Sequence, residues 1–313
     1  MSPATIFDIG LAVLVLGVAA WTILVRDTFA AVVSFVVYGL LVALVWVRLS
    51  AVDVALTEAA IGSGVTGMLL LGAAARLRPA EAGATPPSAL ICASAAGLCT
   101  LIAMGLAATT LILPDPAPTL APAAMAGLPA SGLGNPVTGV LFVYRALDTL
   151  LEKVVLVLAL VGVWSLAADE EWGGTPEISA TRQPDGILTF LAQLLPPVGI
   201  VLAIYMFWVG ADHPGGAFQG GALLTAMWLL VLMAGVRTAP ATGLVALRLV
   251  IVAGPVIFLA IGFAGFAWAD GFLSYPAGYA KPLIVIAEAA LTLSIGVTLG
   301  LLALGPPARI DRQ

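Results

Sequence analysis

Within one apolar stretch, VYRALDTLLEKVVL (143–156), the chain places Arg145, Asp148, Glu152 and Lys153. On an α-helix advancing about 100° per residue, Arg145, Asp148, Thr149 and Glu152 fall in one narrow stripe, with Thr138 on the same side. Lys153 is displaced by about a quarter turn. A charge near mid-membrane costs about 2.5–3.5 kcal/mol on insertion scales unless it is paired or hydrated, so such a stripe should not face lipid. Arg145 and Asp148, three residues apart, can pair on the helix itself. Two chemistries fit: an ion pair fastening this helix to a neighbour, or part of a proton or cation path.

A second carboxylate pair lies in SAVDVALTEAAIGSGVTGMLLL (50–71), with Asp53 near one end of an apolar run and Glu58 deeper. Ala55, Ala59, Gly62, Ser63, Gly64 and Gly67 surround Glu58, the small-residue spacing that lets membrane helices approach closely. A carboxylate in so dry a contact suits a proton relay; a protonated Glu donating a hydrogen bond between helices fits equally. Near the C-terminus Lys281 and Glu288 are seven apart, with Thr292 on the same face. Lys281 can snorkel to the interface, whereas Glu288 is expected to be buried, for conduction or for packing. In GADHPGGAFQGGALL (210–224), Pro214, Gly215 and Gly216 signal a sharp turn, and Phe218, Gly220 and Gly221 follow. Asp212 and His213 beside it could gather protons or be ordinary surface.

Other chemistries are poorly supplied. There is one histidine, and neither CxxC nor HExxH occurs, which argues against a metal centre. Cys92 and Cys99 share one apolar run and read as small buried hydrophobes. No cofactor is expected, and the formal charge of −5 suggests no nucleic-acid partner.

The elements that must carry these groups are membrane helices. The 313 residues are 61% hydrophobic and 9% charged, whereas soluble domains carry about 25% charged residues. Apolar runs of about 20 residues, enough to cross a bilayer, recur throughout. The fold class is therefore an all-α polytopic membrane protein with about nine transmembrane helices, near 6–25, 29–48, 51–75, 89–113, 136–168, 187–209, 217–236, 244–268 and 282–304. The first run lacks a basic flank and contains Asp8, so it reads as a retained span. The fifth is too long for one straight crossing, so its start should be tilted or broken, with Pro136 well placed to open it. Residues 114–135, rich in Pro and Ala, read as an extended outer linker, and 169–186 as an acidic inner one.

With the N-terminus outside, the cytoplasmic face receives Arg26, Arg76, Arg78, Arg182, Arg237, Arg248, Arg309 and Arg312, and the outer face only Arg48 and Lys281. This asymmetry follows the positive-inside rule and puts the C-terminus in the cytoplasm. No internal repeat of the inverted kind found in secondary transporters is visible.

Three stretches, in this order, resemble subunits of Mrp-type (Mnh) multisubunit Na+/H+ antiporters. Residues 50–71 are similar to the small D-type subunit of membrane-bound hydrogenases and to the matching end of the antiporters' large A subunit: an acidic residue, ALTEA and Gly-x-Gly, here Asp53, Glu58, Gly62 and Gly64. Residues 135–156 resemble the E-type pattern DFRGxDTxGE. Arg145, Asp148, Thr149 and Glu152 match it, while Val143, Ala146 and Leu151 replace an Asp and two glycines. Residues 187–304 resemble the four-helix B subunit and its GHNxPGGGFxGG signature. Pro214, Gly215, Gly216, Phe218, Gly220 and Gly221 match; Ala211, Asp212 and Ala217 depart from its His, Asn and Gly.

The resemblance implies a D-type segment over 1–88, an E-type segment over 89–170 and a B-like domain over 187–313, with linkers at 114–135 and 169–186. It implies a non-enzymatic, multi-pass subunit of the plasma membrane beside antiporter-like, proton-pumping subunits, with Na+ and H+ as the transported ions. The ion or proton path would run through Asp53, Glu58, Arg145, Asp148, Glu152, Lys153 and Glu288. The same module in a hydrogenase-like, redox-driven complex, or as a passive scaffold, are the alternatives. The topology is directly testable. A cytoplasmic reporter fused after Gln313 should be active, and activity from one inserted in 114–135 instead would reverse the orientation.

Overall fold

The computed structural model describes residues 2–81, 88–176 and 186–309. Arg182, Arg312 and positions 177–185 of the inner linker lie outside the described residues, as do the side chains of Arg76, Arg78 and Arg309. The chain opens with α1 (Pro3–Leu24) and α2 (Thr28–Arg48), capped by Ser2, whose hydroxyl accepts from Thr5 N, and by Asp27, which accepts from Ala30 N at 2.7 Å. Arg48 closes this hairpin with a two-pronged bond to Asp8, at 2.7 and 3.0 Å.

The third span is one continuous rod made of α3 (Val52–Thr57), a π-helical stretch (Glu58–Val65) and α4 (Thr66–Glu81). Glycine lets α2 lie directly on it: a Cβ added at Gly67 would collide with Val36 Cγ2. After α5 (Ala89–Ile112) come α6 (Ala121–Ser131), α7 (Pro136–Gly139), a second π turn (Val140–Tyr144) and α8 (Ala146–Trp164). The final bundle is α9 (Ile187–Val209), α10 (Ala217–Met233), α11 (Val245–Trp268) and α12 (Ala280–Leu304). A two-stranded antiparallel pair, β1 (Thr175–Pro176) with β2 (Pro307–Arg309), ties the end of the chain to the connection after α8.

α12 is the axis of this bundle. Ile284, Ala287, Leu291 and Ile295 are at most 1% exposed along one of its faces, and α8, α9, α10 and α11 pack around it. Glycines bring the backbones together: Gly254 of α11 stands against Leu291, and Gly221 of α10 against Ile295 and Gly296.

Seven helices are long and apolar enough to cross a membrane among the described residues, which makes this a multi-pass membrane protein. Two of the nine expected spans fall short by that measure. α10 has only 17 residues, and α8 carries Asp148, Glu152 and Lys153 within its 19. The expected break in the fifth span is present at Arg145, and Pro136 does open the segment. Two expectations need correction. The stretch 114–135 is not extended throughout, because Pro122 can occupy a first-turn position and the alanines propagate α6 until left-handed Gly132 ends it. Cys92 and Cys99 are exposed, since α5 buries none of its residues against the rest of the chain.

The α10–α12 contact yields a stability test. A side chain at Gly221 would put its Cβ 2.6 Å from Ile295 Cγ2 and 3.2 Å from Gly296 N, and such overpacking costs about 1–3 kcal/mol. Gly221→Val should lower the thermal midpoint in detergent, whereas Gly72→Val, which meets nothing within 4 Å, should leave it in place. Equal melting of the two variants would show that the glycine does not set the helix spacing.

Candidate functional site

The turn between α9 and α10 is held by groups from three parts of the chain. Asn135 Nδ2 donates to the carbonyls of Gly210 (3.1 Å) and His213 (3.0 Å), and its Oδ1 caps α7 by accepting from Val137 N. The Gly134 and Asn135 amides both donate to Ala211 O, and Thr138 Oγ1 donates to Gly210 O at 2.6 Å. From the first part of the chain, Asp53 Oδ1 accepts from Gly215 N at 3.1 Å and from Asn135 Nδ2 at 3.3 Å. Lys281 Nζ donates to both oxygens of Asp212 at 2.7 Å. Gly216, at φ +134°, adopts a conformation that favours glycine, and α10 begins from it.

Beneath this turn lies a cavity of about 400 Å³, lined by Asp53, Thr57, Glu152, Lys153, Gln219 and Glu288 among others. Glu288 stands eight residues into α12, about 12 Å from its start, and is 2% exposed. The amide of Ala217, the first residue of α10, donates to its carboxylate, so the helix dipole faces the anion. Its Oε2 is buried without a hydrogen-bond partner. That oxygen is an open acceptor which a cation, a water or a proton can fill. Lys153, 4% exposed, lies over the ring of Phe218 with Nζ 3.3 Å from the centroid, and 3.6 Å from Glu152 Oε2. A desolvated ammonium gains from both contacts, and Lys153 also feels the charge of Glu288. Gln219 Nε2 donates to Thr57 Oγ1 at 2.9 Å, closing one wall.

Of the seven residues expected on an ion path, the cavity gathers Asp53, Glu152, Lys153 and Glu288, together with Gly215, Gly216 and Phe218 of the turn motif. Gly220 and Gly221 instead pack α10 onto α9 and α12. Glu58 lies away from the cavity, with its carboxylate folded over Gly62 and facing Gly39 of α2. Arg145 and Asp148 pair with each other on the outer surface, their side chains 69% and 50% exposed.

The stripe holds for the charges Arg145, Asp148 and Glu152, which share one side of the segment, but not for Thr149. Arg145, at φ −132° and ψ 37°, is not helical, so the 100° count does not run through it. Thr149 and Lys153, four apart, point inward, while Arg145, Asp148 and Glu152 lie outward. Sequence reasoning passed over Asn135, Thr57 and Gln219. The available signals were an Asn immediately before a helix-opening Pro, and a lone amide inside the apolar start of α10.

The family model MbhD, described as the D component of MBH, matches residues 13–79, and one described as a domain related to the MnhB subunit of Na+/H+ antiporter matches residues 187–304. The chain thus carries, in order, a stretch similar to MbhD and a stretch similar to the MnhB-related domain. An uncharacterized protein of Methanocaldococcus jannaschii is 32% identical over 114 residues, covering 32% of this chain and 44% of that protein. The chain thus spans under half the length of that relative. Its fold is shared with a chain of the Mrp complex from Dietzia sp. DQ12-45-1b (TM-score 0.74, 23% identity, 97% of this chain and 35% of that one). It is shared more loosely with the membrane-bound sulfane sulfur reductase, an archaeal respiratory membrane complex (TM-score 0.55, 24% identity, 68% and 96%).

In these terms the MbhD segment supplies Asp53 and Thr57 to the cavity. The MnhB-related domain supplies the turn, Gln219 and Glu288, and the stretch between them supplies Glu152 and Lys153.

The clasp is testable. Asp53→Ala removes the acceptor of the Gly215 amide, and such a loss costs about 1–3 kcal/mol where the donor is left unpaired. Amide hydrogen exchange at Gly215 should quicken, and Asp53→Asn, which keeps an acceptor, should restore protection. Unchanged exchange in the alanine variant would assign the turn's rigidity to the bonds from Gly134, Asn135, Thr138 and Lys281.

Proposed function

We propose that this chain is a membrane subunit of a Mrp-like multisubunit cation/proton antiporter and that the cavity beneath the α9–α10 turn is part of its ion or proton route. The observation that carries the reading is the convergence of Asp53, Glu152, Lys153 and Glu288, drawn from three separate segments, on one cavity. Buried ionisable groups within a membrane are costly and mark ion pathways more often than packing. In this scheme Asp53, half-buried under the turn, admits the ion. Glu288 receives it on its free oxygen, and Lys153, between Glu152 and Glu288, shifts its interaction from one carboxylate to the other as charge passes.

The outward face of α8 supports the subunit half of the proposal. Arg145, Asp148 and Glu152 lie on either side of residue 150, the midpoint of 136–164. At that depth half-exposed charges are incompatible with lipid, so another membrane subunit with polar groups of its own covers them. Antiporter-like, proton-pumping subunits are the partners this implies, with Na+ and H+ as the coupled ions.

A second reading places the module in a hydrogenase-like, redox-driven pump. It is favoured by the MbhD match and the likeness to the sulfane sulfur reductase.

The test is cation-dependent proton transport in everted vesicles carrying the assembled complex, with no electron donor. Wild type should transport, and Glu288→Gln and Lys153→Met should each slow it about tenfold or more while the subunits still co-purify. Wild-type rates in both variants would make the cavity structural, and transport by wild type only on adding an electron donor would favour the redox-driven reading.

A further inference from the structure

The opposite face of the molecule carries a separate cavity, of about 250 Å³, between α8 and α11. It is lined by Val157, Leu160, Val161, Ile251 and Val252, and at its head by Trp164, Trp172 and Arg248. Trp164 is the last residue of α8, and Arg248 stands three residues into α11, so both lie where these helices leave the membrane. Tryptophan and arginine at this level, above an apolar groove, match the chemistry of the lipid interface.

Two features mark it as built. The indole N–H of Trp164 is buried without a hydrogen-bond partner, and the residue is 7% exposed; such a donor ordinarily has an acceptor. Arg248 is exposed and spends only Nε, on Thr242 O at 2.9 Å. None of the ion pairs among the described residues involves it. Its remaining guanidinium donors have no partner among the described residues.

The frame is fixed by a backbone strap. Thr242 N donates to Gly174 O, and Gly243 N to Gly173 O, each at 2.9 Å. At the contact a Cβ on Gly243 would stand 3.0 Å from Gly173 O. The strap joins the residue after Trp172 to the loop that leads into Arg248.

We infer that this cavity binds the phosphodiester headgroup of a membrane phospholipid. Arg248 is the donor to the phosphate oxygens, the Trp164 ring closes the head of the cavity, and Trp172 covers the glycerol region. A cavity of this size takes a headgroup and not a whole lipid. The acyl chains then run down the exposed apolar faces of the two helices, over Leu158 and Val161 on one and Leu249, Val252 and Val256 on the other. The acidic turn Asp169–Glu171, directly before Trp172, favours a headgroup bearing an ammonium. By the Lys/Arg distribution this is the cytoplasmic leaflet, where Arg237 also lies. The inference is independent of the ion route, because none of these residues lines the cavity under the α9–α10 turn.

The experiment is native mass spectrometry of the purified full chain, delipidated in detergent and titrated with phosphatidylethanolamine. Wild type should hold one lipid, and Arg248→Gln should lose about tenfold in affinity. Val161→Trp fills the groove without removing a polar group and should lose as much, with its thermal midpoint unchanged. Arg237→Gln should bind as wild type does. Wild-type lipid binding in both site variants, an equal loss in Arg237→Gln, or displacement of the lipid by millimolar inorganic phosphate would each overturn the assignment. The last would indicate a free-anion site and the others general attraction.

Discussion

The amide of Asn135 holds the site together. Backbone groups buried away from water need partners, and the turn between α9 and α10 leaves carbonyls at Gly210, Ala211 and His213 that the rest of the chain must satisfy. Asn135 takes two of them with one nitrogen, its own backbone N–H helps take the third, and its side-chain oxygen starts α7. The nitrogen also reaches Asp53, which in turn fixes the Gly215 amide. Three segments far apart in sequence are thereby registered against one another to within a hydrogen bond. The cavity below inherits its shape from that registration, because Gly216 directs α10 so that Ala217 N meets Glu288.

Given this frame, Lys153 and Glu288 are held by different means. Lys153 has a ring face on one side and a carboxylate on the other, so its charge is shared between a quadrupole and an ion partner. Neither contact is a rigid, directional fork, and an ammonium on a flexible stem can move between partners. Glu288 has a fixed dipolar anchor at one oxygen and nothing at the other. An anchored carboxylate with one open oxygen beside a movable ammonium is an arrangement that packing alone does not require. The exposed Arg145–Asp148 pair, by contrast, is satisfied locally and depends on whatever covers α8.

Much of this is legible in the sequence, for physical reasons. Membrane helices must be apolar over about 20 residues, so seven spans follow from composition, and the start of the fifth segment from Pro136. The expense of placing Asp53, Glu152, Lys153 and Glu288 within apolar spans makes each conspicuous, and all four line one cavity. What the sequence conceals is direction. A periodicity count sets Asp148 and Glu152 on one side of α8 and Lys153 about a quarter turn away, but not which side meets the protein, and it is Lys153 that faces inward. Glu58 lies among small residues, against Gly62 and Gly39 of α2, but away from the cavity, a placement set by helix packing that periodicity does not report. Hydrogen bonds between distant segments, such as Gln219 to Thr57, have no periodic signature at all.

Joining the segments in one polypeptide has a consequence for the site. Among the described residues the direct polar links between the MbhD-like stretch and the MnhB-related stretch are few: Asp53 to Gly215, and Gln219 to Thr57. As separate chains they would have to find each other in the bilayer without a hydrophobic driving force, since lipid tails are as apolar as the helix faces. Covalent connection turns that encounter into an intramolecular one at high effective concentration. Few contacts then suffice, and the cavity wall need not be large or rigid. A site assembled this way can keep unsatisfied groups such as Glu288 Oε2, because its stability rests on the chain connection and on α12, and not on every polar atom in the cavity being paired.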